Sequence, residues 1–236
     1  MTTTKPRVLL YDIEATNLNA DFGVVLCVAW KWHGEKKIHH LSITDSPTFA
    51  RDPTNDKWII KEFASVLEQA DVAVFHYGMY FDGPYLQTRA LYHGMKPLNM
   101  PAMVDTWRIC RKRLKLHSNR LASIAALLGV SEKTPLDPPT WVKAMAGNRK
   151  AIAYVVEHCV QDVVVLDEVY SRIRAWGWDN PNMGAASGGC PTCGSHNIQA
   201  RGIVRTVKAL KHRFCCSECG HWFSRAVGKR EKENAA

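Results

Sequence analysis

The stretch that decides the fold reads RVLLYDIEAT and covers residues 7–16. It begins with apolar residues that indicate a buried β-strand, and it carries two carboxylates, those of Asp12 and Glu14. Side chains two apart in a strand lie on the same side, and Leu10 on that side points toward the core. Two neighbouring carboxylates that resist desolvation are stabilised by a cation, so the stretch predicts a metal site. The alternative is a solvent-exposed strand end.

Two further aspartates lie in contexts that suit the same site. Asp82 follows Phe81 shortly after the buried run at residues 72–75, where a helix is expected to begin. Its alternative role is to cap that helix. Asp162 lies among apolar residues inside a long predicted helix, where an aspartate is mildly unfavourable. Its alternative role is a salt bridge.

Hydrophobic periodicity predicts strands first and then alternating helices and strands. Apolar runs at residues 24–32 and 37–43 follow the first strand, with turn residues between them, and predict an antiparallel meander. A long helix is predicted from about Arg149 to Trp176. This order predicts an α/β fold in which helices pack on a mixed sheet. The other predicted elements are a helix at 58–67, a strand at 72–75, a helix at 82–91, a strand edge at 103–104 and a helix at 121–128 ended by Gly129, after which Pro135, Pro138 and Pro139 interrupt the pattern.

Composition limits the possible partners of the chain. Its 236 residues, 46% of them hydrophobic, suffice for one ordinary domain and a small module. We find no run of about 20 apolar residues and no signal peptide, so we expect no membrane partner and a cytoplasmic, reducing location. The net charge of +9 favours a polyanion such as nucleic acid, although it also serves solubility.

The cysteines divide into two groups. Cys27, Cys110 and Cys159 lie among apolar residues and are interpreted as core thiols. The other five crowd the C-terminal part of the chain, which in a reducing compartment favours metal over disulfides.

Two knuckles in this second group predict a zinc ribbon. Each has two thiols spaced to hold one cation, Cys190 with Cys193 and Cys216 with Cys219, followed by a glycine where the backbone turns. Four thiolates give a closed tetrahedral site for one structural Zn²⁺, which would supply folding energy to a small module. Cys215 leaves an exchange of ligand with Cys216 open, and His212 and His221 are weaker candidates.

The predicted domains follow from these patterns. Residues 1–177 form the main α/β domain, and residues 178–189, rich in Gly, Asn and Ser, form a flexible linker. The zinc ribbon occupies residues 190–227, and residues 228–236 form a disordered charged tail.

Together, the acidic residues resemble the DEDD-type 3′-5′ exonuclease superfamily, whose members have a ribonuclease H-like fold. The resemblance covers roughly residues 7–175. The first motif corresponds to residues 11–16, the second to 81–82 and the third to 158–162, and the segment 104–129 resembles the region between the last two motifs.

The resemblance implies hydrolysis of phosphodiester bonds with two divalent cations. It implies that Asp12 bridges both cations and that Asp82 supports the second. Glu14 and Asp162 would complete the site nearer the attacking water. Oxygen ligands suit Mg²⁺ or Mn²⁺. His158 would orient or deprotonate that water, because an imidazole titrates near neutrality.

Two positions depart from the family pattern. Tyr77 stands where many members have Asn. One subclass has Tyr four residues before the last Asp and another has His five before, whereas here His158 lies four residues before Asp162. The chain thus has the spacing of the tyrosine subclass with His in the Tyr position, and an i,i+4 pair still shares a helix face. The alternative for His158 is a partly buried helix residue, and Asp105 corresponds to a position that is usually structural.

Two basic groups are candidates for contact with nucleic acid. A run at residues 108–120 either guides the substrate backbone or is a solvated helix face. The ribbon combines cations with aromatic rings, which suits contact with single strands, although a structural or protein-docking ribbon is the alternative. The candidates in the ribbon are Arg201, Arg205, Lys208, Lys211, Arg213 and Trp222.

The resemblance implies a 3′-5′ exonuclease, and together with the basic groups it predicts action on single-stranded ends of DNA or RNA, with DNA favoured. A replication or repair protein is a further candidate partner. The alternatives are a nucleic-acid-binding or recruitment protein with a degenerate nuclease fold, and a structure-specific endonuclease, since ribonuclease H-like folds host both chemistries.

Overall fold

The computed structural model describes residues 6–130, 137–178 and 180–226. The chain divides into two compact units, Arg7–Ile173 and the part from Arg174 onward. The predicted tail at residues 228–236 lies outside the described residues.

The first unit is built on a five-stranded mixed sheet in the order β3-β2-β1-β4-β5. The first three strands pair antiparallel, as the predicted meander requires, and β4 and β5 are added in parallel. Helices connect and cover these strands, so the predicted mixed sheet flanked by helices is confirmed. The strands are β1 (Val8–Ala15), β2 (Val25–Trp32), β3 (Ile38–Ser42), β4 (Val72–Phe75) and β5 (Ala102–Asp105).

Among the described residues of this unit there are six α-helices, and the sequence predicted four of them outright. The helix at Thr106–Arg113 directly follows β5, and the one at Pro138–Met145 begins among the prolines that were expected to interrupt the pattern. Pro138 lies at the first helical position, where the missing N–H costs nothing. The helices are α1 (Lys57–Leu67), α2 (Asp82–Tyr92), α3 (Thr106–Arg113), α4 (Leu121–Leu128), α5 (Pro138–Met145) and α6 (Arg149–Ile173).

Strand β1 is packed on both faces. Tyr11 is fully buried, and its ring lies 5.1 Å from that of Phe63 on α1. On the opposite face the thiol of Cys159 on α6 lies against Asp12. The alternation of the strand therefore places Asp12 and Glu14 on the face that α6 covers.

Helix boundaries follow local chemistry. The amide oxygen of Asn148 accepts from the N–H of Ala151 and caps the start of α6. Gly129 ends α4 with φ 61°, as its position predicts. Helix α6 ends at Ile173, three residues before the predicted end, and a single 3₁₀ turn, Arg174–Trp176, follows.

A buried ion pair fixes the position of α2. Asp56 is fully buried and accepts two bonds of 2.9 Å from the guanidinium of Arg89, which is 3% exposed. The same carboxylate accepts from the N–H of Val25 at 2.8 Å and contacts the ring of His93. The start of α1, the start of β2 and the second half of α2 are thereby joined at one point.

The second unit contains an antiparallel sheet in the order β6-β7-β8. Its strands are β6 (Ile198–Arg205), β7 (Leu210–Cys216) and β8 (Trp222–Ala226). The cysteine knuckles lie before β6 and between β7 and β8.

The segment predicted to be a flexible linker is folded where it is described. The N–H of Met183 donates to the carbonyl of Pro191, and that of Gly188 donates to Gly184, both at 2.8 Å. A Cβ on Gly184 would lie 2.2 Å from the carbonyl oxygen of Gly189. Glycine is required here by close backbone approach, which a composition that also suits a linker does not reveal.

Among the described residues, none of the helices is long and apolar enough to cross a membrane.

Candidate metal centres

The first candidate centre lies at the end of β1, beyond the last residue that pairs with β4. The parallel pairing of β1 and β4 ends at Leu10 and Val74, while the antiparallel pairing of β1 with β2 continues to Ala15 and Val25. The edge of β1 that β4 leaves uncovered is therefore open to side chains, and Asp12 and Glu14 lie on this last part of the strand.

Asp82 occupies part of this uncovered edge. It is the first residue of α2 and 4% exposed, and its Oδ1 accepts from the N–H of Ile13 at 3.2 Å. The residue before the helix is Phe81, so Asp82 is not the N-cap that was its alternative role. The bond to Ile13 places the Asp82 carboxylate beside the residue that separates Asp12 from Glu14.

Burial raises the pKa of Asp82 to about 7, although the N–H groups of Asp82 and Ile13 lower it, and the charge of Asp105 raises it further. A buried carboxylate of this kind is stabilised in its ionised form by a cation. The surroundings of Asp82 therefore fit a metal ligand.

Helix α6 brings the third motif to the same strand. The Nε2 atom of His158 lies 3.9 Å from Oε1 of Glu14 and 4.0 Å from Oδ2 of Asp162. Donor atoms of Glu14, His158 and Asp162 all lie within 4.8 Å of one another. Asp162 is buried, whereas Glu14 and His158 are partly exposed.

Cys159 has a second contact that sequence reasoning missed. It is a buried thiol, as predicted, but its Sγ lies 3.3 Å from the carbonyl oxygen of Asp12 and 3.6 Å from Oδ2 of Asp12. Burial raises the pKa of Cys159, and the charges of Asp12 and Glu14 raise it further, so the protonated thiol is favoured as a donor to Asp12. The spacing Cys159 to Asp162, three residues on one helix face, was the available signal.

The five predicted residues thus lie around the end of β1. Three of them form one cluster of donor atoms, and the other two are connected to this region by separate contacts. Glu14, His158 and Asp162 form a compact cluster. Asp12 is linked to α6 through Cys159, and Asp82 is linked to the backbone of β1. Carboxylate oxygens dominate the donor set, which suits Mg²⁺ or Mn²⁺.

Asp105 has a structural position in this region. Its carboxylate caps α3 by accepting from the N–H of Trp107 at 2.9 Å. It also accepts from the N–H groups of Tyr77 at 2.9 Å and Met79 at 3.2 Å. One buried carboxylate therefore holds the loop before Asp82 against the start of α3.

The second candidate centre consists of the four cysteines of the two knuckles. The sulfurs of Cys190, Cys193, Cys216 and Cys219 lie within 4.8 Å of one another. Two of the pairs, Cys190 with Cys219 and Cys193 with Cys216, are 3.7 Å apart. A tetrahedral Zn²⁺ with bonds of about 2.3 Å requires sulfurs about 3.8 Å apart, so the cluster fits zinc.

The knuckle backbone supports this geometry. Gly194 and Gly220 have φ of 73° and 76°, and their N–H groups donate to the carbonyls of Cys190 and Cys216. Only glycine adopts this conformation readily.

Electrostatics differs among these thiols. A hydrogen bond from Cys219 lowers the pKa of Cys193 to about 5, whereas the same contact raises the pKa of Cys219 well above its ordinary value, and burial raises the pKa of Cys190 to about 11. Cys190 and Cys219 by themselves therefore favour the protonated form, and a bound metal would be needed to stabilise four thiolates.

The alternative ligands lie elsewhere. Cys215 is paired with Trp222 in the sheet, and its Sγ is directed to the carbonyls of Cys216 and Gly220. His221 bonds through Nδ1 to the carbonyl of Ala175 at 2.7 Å. Neither residue belongs to the four-cysteine cluster.

The basic residues predicted in the ribbon do not form one patch. Lys211 and Arg213 alternate with His212 on β7, and the guanidinium of Arg213 lies 5.0 Å from the ring of Trp222. Arg205 is paired with Leu210, the neighbour of Lys211 on β7. Because successive residues of a strand point to opposite faces, Arg205 and Leu210 lie on the face opposite to Lys211 and Arg213. Arg201 lies where the pairing of β6 with β7 is irregular, and Lys208 lies in the turn between these strands.

The face with Arg213 has a hollow beside it. A cavity of about 400 Å³ is lined by Arg213, Trp222, Trp178 and Val204, among others. Trp178 and Trp222 are 69% and 46% exposed, so large aromatic surfaces remain open to solvent here.

The mixed sheet, its covering helices and the carboxylates at the end of β1 define a protein of the ribonuclease H-like class. Residues 9–174 match the family model of the RNase_H superfamily, and the chain belongs to that superfamily. No curated protein sequence matches the chain.

A solved structure with a similar fold is that of the family B DNA polymerase from the hyperthermophilic archaeon Pyrobaculum calidifontis. The TM-score is 0.58 at 18% sequence identity, and the match covers 73% of this chain. It covers 26% of the polymerase chain, so this protein corresponds in fold to about a quarter of that enzyme.

Proposed function

We propose that this protein is a metal-dependent nuclease that hydrolyses phosphodiester bonds from the 3′ end of a nucleic-acid strand. The observation that carries the proposal is the meeting of Glu14, His158 and Asp162 at the end of β1, next to Asp12 and Asp82. Membership of the RNase_H superfamily supports a nuclease-type function, and the order of the acidic motifs favours an exonuclease.

In this proposal the carboxylates hold two Mg²⁺ or Mn²⁺ ions. Asp12 contacts Cys159 on α6 through its carboxylate and neighbours Ile13, whose N–H donates to Asp82 on α2, so Asp12 would suit the role of a ligand shared by both ions. Glu14 and Asp162 would hold the ion that activates water, and Asp82 would support the other. When bound, the ions activate water and stabilise charge on the phosphate oxygens.

His158 orients or deprotonates the attacking water. Its Nε2 atom faces both Glu14 and Asp162, so it reaches the part of the site where these carboxylates hold a cation. Cys159 is a positioning residue, because its thiol contacts the Asp12 carboxylate.

DNA is the favoured substrate. The solved structure with a similar fold is a DNA polymerase, and the basic residues of α3 follow β5 in the same unit as the carboxylates. A replication or repair protein fits as a further partner on the same grounds.

The ribbon assists substrate binding in this proposal, with one structural Zn²⁺ held by Cys190, Cys193, Cys216 and Cys219. The face with Lys211, Arg213 and Trp222 combines cations and an exposed ring, which is the chemistry that binds single strands. Arg201, Arg205 and Lys208 would add phosphate contacts from outside that face.

The proposal is tested with end-labelled single-stranded oligonucleotides. Wild-type protein with Mg²⁺ should shorten a 5′-labelled strand one nucleotide at a time, and EDTA should stop the reaction. Asp12→Ala should lower the rate at least about 100-fold, because even residues that only support a metal ligand cost 10–100-fold.

The other outcomes distinguish the alternatives. Internal cuts in a branched or structured substrate would replace the exonuclease proposal by a structure-specific endonuclease. If no DNA or RNA is cleaved with either metal while strands are still bound, the protein is a nucleic-acid-binding member with a degenerate site.

A further inference from the structure

Three aromatic rings lie together on the loop before Asp82 and the start of α3. The ring centroids of Tyr77 and Tyr80 are 5.1 Å apart, and Trp107 lies 5.0 Å from Tyr77 and 5.8 Å from Tyr80. Tyr77 is 45% and Tyr80 56% exposed, whereas Trp107 is half-buried. The rings support one another and keep a large aromatic surface in solvent.

The backbone under this surface is strained. Tyr77 has φ 68° and is the one non-glycine residue with positive φ among those described. This conformation is unfavourable for a bulky side chain and is found where the surrounding structure enforces it, often at functional sites. Because the Tyr77 ring is exposed, burial of its apolar surface does not compensate for the strained backbone.

Asp105 enforces this conformation. The buried carboxylate accepts from the N–H groups of Tyr77 and Met79 in the loop and from that of Trp107 in α3. The ring of His76 adds a second connection, because it contacts the hydroxyl of Thr106 at 2.9 Å. The loop and the helix are thus held as one rigid support for the three rings.

The rings lie close to the candidate catalytic site along the same loop. Tyr80 is two residues before Asp82, whose carboxylate contacts the backbone of β1 between Asp12 and Glu14. On the other side, the guanidinium of Arg108 contacts the sulfur of Met79, and Arg111 and Lys112 continue the basic surface of α3. Exposed rings flanked by cations match the faces and phosphates of an unpaired strand.

We propose that Tyr77, Tyr80 and Trp107 form a base-stacking surface that holds an unpaired nucleotide of the substrate strand beside the carboxylates. The inference rests on the proposed nuclease function and specifies its substrate as single-stranded at the site. A base pair in the interior of a duplex has both faces covered by its neighbours, so a duplex cannot place an interior base on this surface without unstacking. Because every base has a π-face, the surface accepts strands without strict sequence preference.

The first test uses Tyr77→Asn in the full-length protein. Asn adopts the left-handed conformation more readily than Tyr, so the variant keeps the backbone while it removes a ring. Binding of a short fluorescent oligothymidylate is measured by anisotropy with Asp12→Ala present in both proteins, which prevents hydrolysis without removing zinc. It should weaken roughly 5- to 150-fold, as expected for loss of one stacked base. Unchanged affinity in a variant with an unchanged melting temperature would overturn the proposal.

The second test removes the base instead of the ring. An oligonucleotide with abasic sites should bind wild type and Tyr77→Asn with equal affinity, because the ring then has no partner. If the variant still weakens binding of the abasic strand, the surface contacts something other than bases and the proposal is wrong.

A control variant separates stacking from general effects. Tyr92→Ala removes an exposed tyrosine at the other end of α2, about 15 Å along the helix, and should leave affinity unchanged. A loss of affinity in this variant equal to that of Tyr77→Asn would contradict a specific stacking surface.

Hydrolysis assays distinguish failure of this inference from failure of the proposed function. If Tyr77→Asn weakens binding but wild type cleaves no substrate, the stacking surface stands and the nuclease proposal fails. If wild type cleaves and Tyr77→Asn leaves both KM and affinity unchanged, the nuclease proposal stands and the stacking surface fails.

Discussion

At the residue scale, His158 keeps the spacing of the tyrosine subclass, four residues before the last Asp, but has a different side chain. It lies one helical turn before Asp162, and its Nε2 atom is within 4.0 Å of carboxylate oxygens of both Glu14 and Asp162. The helix geometry that places a tyrosine over this site in one subclass therefore places an imidazole there in this chain. An imidazole can accept a proton near neutrality, which a phenol cannot.

We predict that His158→Ala lowers kcat by about 10²- to 10⁴-fold, the usual contribution of a general base. His158→Tyr should restore part of the rate, because its hydroxyl can still orient water. The measurement is kcat of the three proteins under one set of conditions. A kcat of His158→Ala equal to that of wild type would show that His158 does not act on the attacking water.

Asp82 is a buried carboxylate whose substitution separates stability from activity. We predict that Asp82→Asn keeps or raises the melting temperature in EDTA, because the amide oxygen can still accept from Ile13 and no charge needs to be buried. The same variant should lose activity at least about 100-fold, since an amide is a poor ligand for a hard cation. A variant that is destabilised yet fully active would contradict the assignment of Asp82 as a ligand.

At the scale of elements, α2 is held by its second half and not by a cap. The N-terminal end of α2 has no side-chain cap, whereas Arg89 in its third turn binds the buried Asp56 through two hydrogen bonds. This ion pair therefore determines where α2, and with it Asp82, lies relative to β1.

We predict that Arg89→Met destabilises the protein by about 3–5 kcal/mol, because it leaves the buried charge of Asp56 without its main partner. The double variant Arg89→Met with Asp56→Leu should be less destabilised than Arg89→Met alone, although the Val25 amide loses its acceptor. Urea unfolding of the three variants measures both effects. Equal stability of Arg89→Met and wild type would show that the pair contributes little.

The contact between β2 and α6 gives the fold a dependence on pH. Asp167 on α6 bonds to Lys31 at 2.6 Å and to His33 at 2.8 Å. Burial by itself raises the pKa of Asp167, but the hydrogen bonds from His33 and Lys31 outweigh it and hold the pKa below its ordinary value. The folded protein thus binds this proton more weakly than the unfolded chain does.

The stability that Asp167 contributes is therefore present above the unfolded pKa of about 3.9 and is lost as pH falls through the lower folded value. We predict that the free energy of unfolding of wild type falls more steeply below about pH 4 than that of Asp167→Asn. Denaturant titrations between neutral and acidic pH test this. A parallel decline of both proteins would contradict the role of this carboxylate.

At the scale of the whole molecule, the two units have different sources of stability. The unit Arg7–Ile173 has a core of buried apolar side chains from the sheet and its helices. The strands of the second unit are mostly exposed, and its buried residues include Cys190 and Cys216. A small module of this kind depends on its metal.

We predict that a strong zinc chelator unfolds the ribbon and leaves the first unit folded. Calorimetry should show the loss of one transition, and elemental analysis should show the loss of about one zinc ion per chain, as four thiolates hold a single ion. Replacing Cys190 and Cys193 by Ser should release the metal and weaken binding of long strands. If it also abolishes hydrolysis of a dinucleotide, the ribbon is part of the active site.

Replacing Cys215 by Ser is the matched control, because this thiol lies next to Cys216 but outside the cluster. The variant should retain zinc. Loss of zinc from it would show that Cys215 exchanges with Cys216 as a ligand.

Much of the fold could be predicted because its signals are local. The strand at residues 72–75 depends on a short apolar run. The helix at residues 121–128 depends on apolar periodicity, and its end depends on the left-handed Gly129. Helix α3 lies in the basic run for which a helix face was one of two interpretations, and Asp105 caps its start. Helix α5 was missed because a group of prolines resembles a loop sequence, while Pro138 at the first helical position allows a helix there. The glycines at 184 and 189 were assigned to a linker because close backbone approach leaves no pattern in a sequence.

The sequence by itself determined which residues can form the site. The strand period places Asp12 and Glu14 on one side, the helix period places His158 and Asp162 on one face, and the knuckle spacing selects four cysteines. Only the tertiary structure decided which donors meet, because contacts between β1, α2 and α6 depend on packing over many residues. It paired Asp82 with the backbone of Ile13, placed the thiol of Cys159 against Asp12, and divided the basic residues of the ribbon between two faces. Local periodicity fixes the direction of a side chain within its element, and the packing of the elements fixes what that side chain contacts.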